Sequence, residues 1–287
     1  MPAQNHGPLA NARISFIGCG VMAESIIAGL LRKELVPPGH IAGSHPRAER
    51  RDELQTKYGI RMVENNRDAA TAFEIPEGAS TGAISVLAVK PQRLGKVLHE
   101  LRGLFAQEHL VVSIVAGAKI ESISEELDHP AVVRAMPNTP AQIGQGMTTW
   151  TAGSVLSETQ EGEVRAMFEA LGKVLRVENE RQIDMATALS ATGPTYIFLV
   201  MEALVDAGVH MGFSRHVAQE LVLQTMLGSV AFAQESHKHP AELRNMVTSP
   251  GGTSAEAIYQ MEKGGLRTVL SKAVWAAFQR AVELGKA

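Results

Sequence analysis

The stretch Ile14-Ser15-Phe16-Ile17-Gly18-Cys19-Gly20-Val21-Met22-Ala23 constrains this chain more than any other. A short apolar run reads as a buried strand, two glycines follow, and a pattern of helical period runs from Met22 to Arg32. Strand, glycine turn and helix in that order build a dinucleotide-binding turn. Gly18 permits the tight turn, Gly20 lets backbone approach a pyrophosphate, and Ala23 lets the helix pack closely on the strand. The backbone of Cys19, Val21 and Met22 then offers the anion the N–H groups of a helix start. A plain strand–helix connection can use the same glycines, so the surrounding pattern decides.

That pattern repeats. Ile41–Ser44, Arg61–Val63, Ile84–Val89, Leu110–Val115 and Val132–Met136 read as strands, with helices at Ala48–Tyr58, Arg67–Phe73, Leu94–Phe105 and Ile120–Leu127 between them. Alternation of this kind implies a parallel sheet covered on both faces, with right-handed crossovers. Thr159–Leu171 is a further helix and Gly172–Val177 the last strand. From Arg181 onward the pattern is almost wholly helical. Pro194–Met211 and Val217–Gln234 are apolar nearly all round. Helices of that kind need cover on every side, which predicts a subunit interface. The expected fold is α/β: a flexible tail over 1–11, a doubly wound (Rossmann-type) sheet domain over 12–178, and an all-helical dimerisation and substrate domain over 179–287.

Composition removes whole classes. The 287 residues carry 27 Lys plus Arg against 30 Asp plus Glu, a net charge of -3, which argues against a nucleic-acid partner. Cys19 is the one cysteine, so neither a disulfide framework nor a multi-Cys metal site is available. The segment Met1–Asn11 lacks a basic start and an apolar run, and Gly18, Gly20, Glu24 and Gly29 interrupt Ile14–Leu31. Neither reads as a signal peptide or a membrane span. A cytoplasmic protein without membrane attachment is the expectation. Zinc-protease and Walker A motifs are absent, and His237 and His239 lack the carboxylates of a metal site, so no metal is expected.

Other strand ends name the cofactor. An NAD-binding sheet places an acid at the tip of its second strand; here Ser44-His45-Pro46-Arg47 stands there. Ser44 and His45 can donate hydrogen bonds and Arg47 can pair with a 2′-phosphate, which favours NADP(H), with NAD(H) as the second option. Ala88-Val89-Lys90-Pro91 ends the fourth strand, where Lys90 can reach a phosphate or ribose. Ser113 ends the fifth. Asn138, in Met136-Pro137-Asn138-Thr139-Pro140, is a candidate for orienting the nicotinamide or the substrate. In Thr248-Ser249-Pro250-Gly251-Gly252-Thr253-Ser254, Thr253 or Ser254 can cap the following helix, while the N–H groups of Gly251, Gly252 and Thr253 suit a carboxylate.

Phe16-Ile17-Gly18-Cys19-Gly20, Ala88-Val89-Lys90-Pro91-Gln92, Arg134-Ala135-Met136-Pro137-Asn138-Thr139-Pro140, Glu202–Val209 and Ser249-Pro250-Gly251-Gly252-Thr253 together resemble the pyrroline-5-carboxylate reductase family over nearly the whole chain. The resemblance implies reduction of a small cyclic imino acid, Δ1-pyrroline-5-carboxylate, to L-proline by NAD(P)H, the last step of proline biosynthesis. It implies a homodimer, with further assembly open, and an active site at the dimer interface. Ser249, Gly251, Gly252 and Thr253 then hold the substrate carboxylate, with Ser254 near the ring nitrogen as the catalytic hydroxyl. Glu178 lines the substrate site and Asn66 the adenosine side of the cofactor. The chain departs from the family at Val21 (commonly Asn), at Ala191 and Thr195 near the nicotinamide, and at Ser254 (commonly Thr). Two other readings compete. A β-hydroxyacid dehydrogenase needs a lysine that Thr187–Met211 lacks, and a non-catalytic NADP-sensing protein has no need of the retained Ser249–Ser254 loop.

Overall fold

The computed structural model describes residues 7–73, 83–153 and 156–285. It divides into two compact units. One runs to Thr192 and takes in the chain from Ala277 onward; the other is Gly193–Ala276.

The first unit is built on an eight-stranded sheet: β1 (Arg13–Ile17), β2 (Ile41–Ser44), β3 (Arg61–Val63), β4 (Ala83–Leu87), β5 (Leu110–Ser113), β6 (Val132–Met136), β7 (Gly146–Ala152) and β8 (Gly172–Arg176). Their order is β3-β2-β1-β4-β5-β6-β7-β8. Every neighbouring pair is parallel except β6 and β7. The order reverses between β1 and β4, which opens a crevice at their carboxyl ends. The connecting helices are α1 (Val21–Arg32), α2 (Ala48–Tyr58), α3 (Asn66–Ala70), α4 (Pro91–Leu101), α5 (Ile120–Leu127), α6 (Glu158–Glu169) and α7 (Glu180–Ala186).

Strand periodicity sorts the core into two layers. Ile14, Phe16, Ile84, Val86, Leu110 and Val112 face α1 and α6, where Ile26, Ile27, Leu30 and Phe168 meet them. Ile17, Leu87, Val111 and Val132 face the other way, onto Val97, Leu101, Ile123 and Leu127 of α4 and α5. Each such side chain contributes about 1.5–3 kcal/mol by leaving water, so a sheet buried on both faces is the natural home for runs without polar alternation.

One expectation is corrected. Residues 7–11 are not a loose tail: two turns seat Leu9 in the core at 1% exposure, while residues 1–6 lie outside the described part. Strand β7 was not anticipated. By compactness the chain divides at Thr192/Gly193, because α7 and a π-helical turn at Thr187–Ala191 stay with the sheet. The end of the last helix returns there too; a Cβ on Gly117 would come within 2.6 Å of the Leu284 backbone.

A polar network lies near the amino ends of the strands. Ser15 and Ser85 share a hydrogen bond of 2.6 Å, Ser85 bonds His109 Nε2 at 2.9 Å, and the His129 ring bonds the His109 carbonyl. Burial, and then the neighbouring His129, push His109 down to about 3. The unfolded chain, with an ordinary histidine, takes up its proton at about pH 6.5, so stability from His109 is lost as pH falls from there towards 3. We expect this residue to cost about 2 kcal/mol between pH 7 and pH 5. Urea unfolding at both values should show a smaller loss for His109→Gln; an equal loss would remove His109 from the acid response.

The second unit holds α8 (Gly193–His210), α9 (Arg215–Ser236), α10 (Pro240–Met246), α11 (Thr253–Lys263) and most of α12 (Leu266–Leu284). Pro240 occupies the first turn of α10, where its missing N–H costs nothing. Helices α8 and α9 pack through Gly208 against Ala218. Within this unit only Val205, Gly208 and Ala218 are buried. Phe198, Leu199, Leu227, Val230, Val269 and Trp275 are each 59–67% exposed. The helical stretch Glu180–His210 is long and apolar enough, by length and composition, to cross a membrane.

Candidate active site

A cleft of about 610 Å³ opens at the switch point between β1 and β4. Gly18, Gly20, Ser44, His45, Asn66, Ala88, Val89 and Lys90 line it, as the sequence led us to expect. Gly18 has φ +90, and a Cβ there would lie 2.8 Å from the Val89 side chain, so the turn requires glycine. A Cβ on Gly20 would meet nothing within 4 Å, leaving room for a ligand against the backbone. Gly20 is the N-cap of α1 and supplies no side-chain cap. The first helical bond runs from Glu24 N–H to the Gly20 carbonyl, so the N–H groups of Val21, Met22 and Ala23 are left for an anion.

Several expected contacts take other roles. The Cys19 side chain is fully buried and its N–H donates to the Ser44 carbonyl at 2.8 Å. Its sulfur fills the space that a side chain on Gly43 would need, and burial pushes the thiol up to about 12. Ser44 is also buried: its hydroxyl accepts from the Gly18 N–H at 3.0 Å and donates to Asn66 Oδ1 at 2.8 Å. It braces the turn instead of reaching out to a phosphate. Asn66 Nδ2 donates in turn to Glu100 at 3.0 Å. Ser113 is fully buried and its hydroxyl accepts from Val115 N–H, so it faces no ligand. The Asn138 carboxamide is spent as well. It accepts from Met147 N–H at 2.9 Å and donates to the Ser190 carbonyl and hydroxyl at 3.3 and 3.4 Å. Val21, Met22 and Pro91 sit at helix starts beside the cleft without lining it.

Charge at the tip of β2 is unevenly spent. Arg50 pairs with Glu24 and Glu53. Arg51 donates to the carbonyls of His45 and Pro46 and pairs with Glu64. Burial and the neighbouring charges of Arg47, Arg50 and Arg51 lower His45 from its ordinary value, so its ring is neutral at pH 7. Arg47 is exposed at the N-cap of α2, and no ion pair engages it among the described residues. Arg67, Arg93 and Lys96 also line the cleft. They escaped the sequence reading because each looks like an ordinary solvated helix position; only the topology turns them inward.

Glu178 lines a second cavity of about 490 Å³ with Met147, Thr149, Leu175, Met185, Leu189 and Ser190. In the helical unit, the Gly252 N–H bonds the Ser249 carbonyl at 3.1 Å and Gly251 has φ +71. With Pro250 before it, this is the signature of a type II turn. The N-cap of α11 is Gly252, with no side-chain cap. Neither Thr253 nor Ser254 caps the helix, contrary to one expectation, and among the described residues the Ser254 hydroxyl and the N–H groups of both residues make no hydrogen bond.

Residues 180–284 match the family described as pyrroline-5-carboxylate reductase dimerisation, and residues 13–117 match the NADP oxidoreductase, coenzyme F420-dependent family. The chain is 41% identical to a pyrroline-5-carboxylate reductase of Synechocystis, covering 96% of this chain and 98% of that one. It is similar to the solved pyrroline-5-carboxylate reductase of Coxiella burnetii, with TM-score 0.84, 36% identity and coverage of 96% and 100%. The Plasmodium falciparum pyrroline carboxylate reductase with NADP bound gives TM-score 0.85 at 28% identity, covering 96% and 99%. A Rossmann-type sheet unit followed by a helical dimerisation region, matched end to end at this identity, places the chain in the pyrroline-5-carboxylate reductase family.

Proposed function

We propose that this protein reduces Δ1-pyrroline-5-carboxylate to L-proline with NADPH, as the last step of proline biosynthesis, acting in the cytoplasm as a homodimer. The observation that carries the reading is the Ser249–Ser254 turn, which keeps a free hydroxyl and free N–H groups at an uncapped helix start. A carboxylate fits there because helix N–H groups and the helix dipole both favour an anion.

The cleft residues fit NADP(H). The uncapped start of α1 suits a pyrophosphate, and Arg47 suits a 2′-phosphate. Bound NADPH supplies the hydride. The chain supplies position: Gly18 and Gly20 admit the pyrophosphate, Asn66 and Lys90 flank the adenosine side, and Ser254 donates a hydrogen bond to the imine nitrogen. Glu178 borders the ring. With no strong general acid at hand, orientation does most of the work. The apolar faces of α8 and α9 meet a second copy, which accounts for their composition without a membrane.

The test is oxidation of NADPH by the purified protein with Δ1-pyrroline-5-carboxylate, beside NADH and other cyclic imines. Turnover should be fastest with the five-membered imine and NADPH. Arg47→Ala should weaken NADPH by about 1.5–3 kcal/mol, the worth of a charge-assisted bond, and spare NADH. Equal losses for the two cofactors would remove Arg47 from the 2′-phosphate.

A further inference from the structure

Glu180 and Asp184 stand one turn apart on α7, where like charges repel. Both face Arg134, which is 1% exposed in the body of β6. Arg134 Nη1 lies 3.2 Å from Glu180 Oε1, and Nη2 lies 2.5 Å from Asp184 Oδ1. Glu180 Oε1 also accepts from Ile120 N–H at 2.9 Å, joining the start of α5 to the same group. A guanidinium is a planar fork, so two carboxylates on it set the rotation of their helix about its own axis.

This junction is an expensive way to join helix to sheet. Arg134 Nε is buried without a partner among the described residues, and desolvation of a buried pair offsets most of its Coulomb gain. Apolar side chains would hold α7 at least as firmly. What the fork adds is geometry, and both ends of α7 carry something that depends on it. At the front, Asn179 caps the helix by accepting from Gln182 N–H, and Glu178 donates its own N–H to Gln182 Oε1 at 2.8 Å. Glu178 therefore moves with α7. At the back, Asn138 grips the π-helical turn through Ser190. The middle of β6 and the loop just after it each pin the segment, and the cavity bordered by Glu178 and Ser190 lies along it.

We propose that Arg134 is a positioning residue for the reduction: through Glu180 and Asp184 it sets the rotation of α7 and so places Glu178 against the substrate ring. The proposal rests on the reading that Glu178 borders the substrate. Asp184→Asn, which keeps the shape and removes one charge, and Arg134→Lys, which keeps the charge and removes the fork, test it. Both should raise KM for Δ1-pyrroline-5-carboxylate about 10- to 100-fold, since a misplacement near 1 Å has effects of that size. NADPH affinity, measured by fluorescence titration, should not change. In a Glu178→Ala background neither substitution should raise KM further. Folded variants with wild-type KM, or losses that multiply with that of Glu178→Ala, would overturn the positioning role. If Glu178→Ala alone leaves KM unchanged, Glu178 does not border the substrate and the proposal falls with that reading. If Glu178→Ala raises KM while Asp184→Asn and Arg134→Lys do not, only the role of Arg134 is lost. Should Arg134→Lys fail to fold, the near-isosteric Asp184→Asn carries the test.

Discussion

Ser254→Ala will lower kcat/KM for the imine about 100-fold or more, the usual effect of deleting one donor aimed at developing charge. Its stability should stay within about 0.5 kcal/mol of the parent, because no helix cap is lost. The two effects separate cleanly here. Gly252 is the N-cap of α11, and the Ser254 hydroxyl makes no hydrogen bond among the described residues. NADPH affinity should be unchanged, which assigns the loss to the imine and not to the cofactor. Ser254→Thr keeps the hydroxyl and should keep activity, with the added methyl restricting χ1. Steady-state kinetics beside thermal melting decide the matter. A folded Ser254→Ala protein with the parent's kcat/KM would leave the residue no catalytic part.

Charge placed on the apolar face of the helical unit should take the assembly apart. Phe198 is 60% and Leu227 67% exposed in the single chain, so Phe198→Glu and Leu227→Arg meet no clash there. In a subunit interface each would bury an unpaired charge, at a cost of several kcal/mol, on the order of the 3–5 kcal/mol found when a buried pair is broken. We expect inactive monomers in sedimentation, with helical circular dichroism largely kept. A variant that stays assembled and active would place the interface elsewhere.

The sheet was legible because its strands are nearly uninterrupted apolar runs and its helices begin at recognisable turns. The boundaries of α2 and α5 match those read from periodicity. Strand β7 was hidden because its burial does not alternate: Thr148, Thr149, Trp150 and Thr151 are all buried. Three threonines beside a tryptophan were the available signal, since β-branched and aromatic residues favour strands. The glycine turn was legible because backbone geometry restricts which residues can stand there. Ser44, Ser113 and Asn138 were not, because a polar residue at a strand tip can face a ligand or bind its own chain. Only coordinates tell which. The basic residues of α3 and α4 had no local mark at all, since their direction is a property of the sheet order.

The packing of Cys19 against Gly43 has a practical consequence. With burial pushing the thiol up to about 12, hardly any of it is thiolate at pH 7. Oxidants and alkylating reagents act on thiolates at accessible sites, and this sulfur is neither ionised nor exposed. It is also the chain's sole cysteine. The native sequence is thus chemically silent towards maleimides, so a cysteine introduced at a chosen surface position becomes the single labelling site. Distance or fluorescence probes can then be attached to either unit without first removing a native thiol, and without disturbing the Gly18–Gly20 turn.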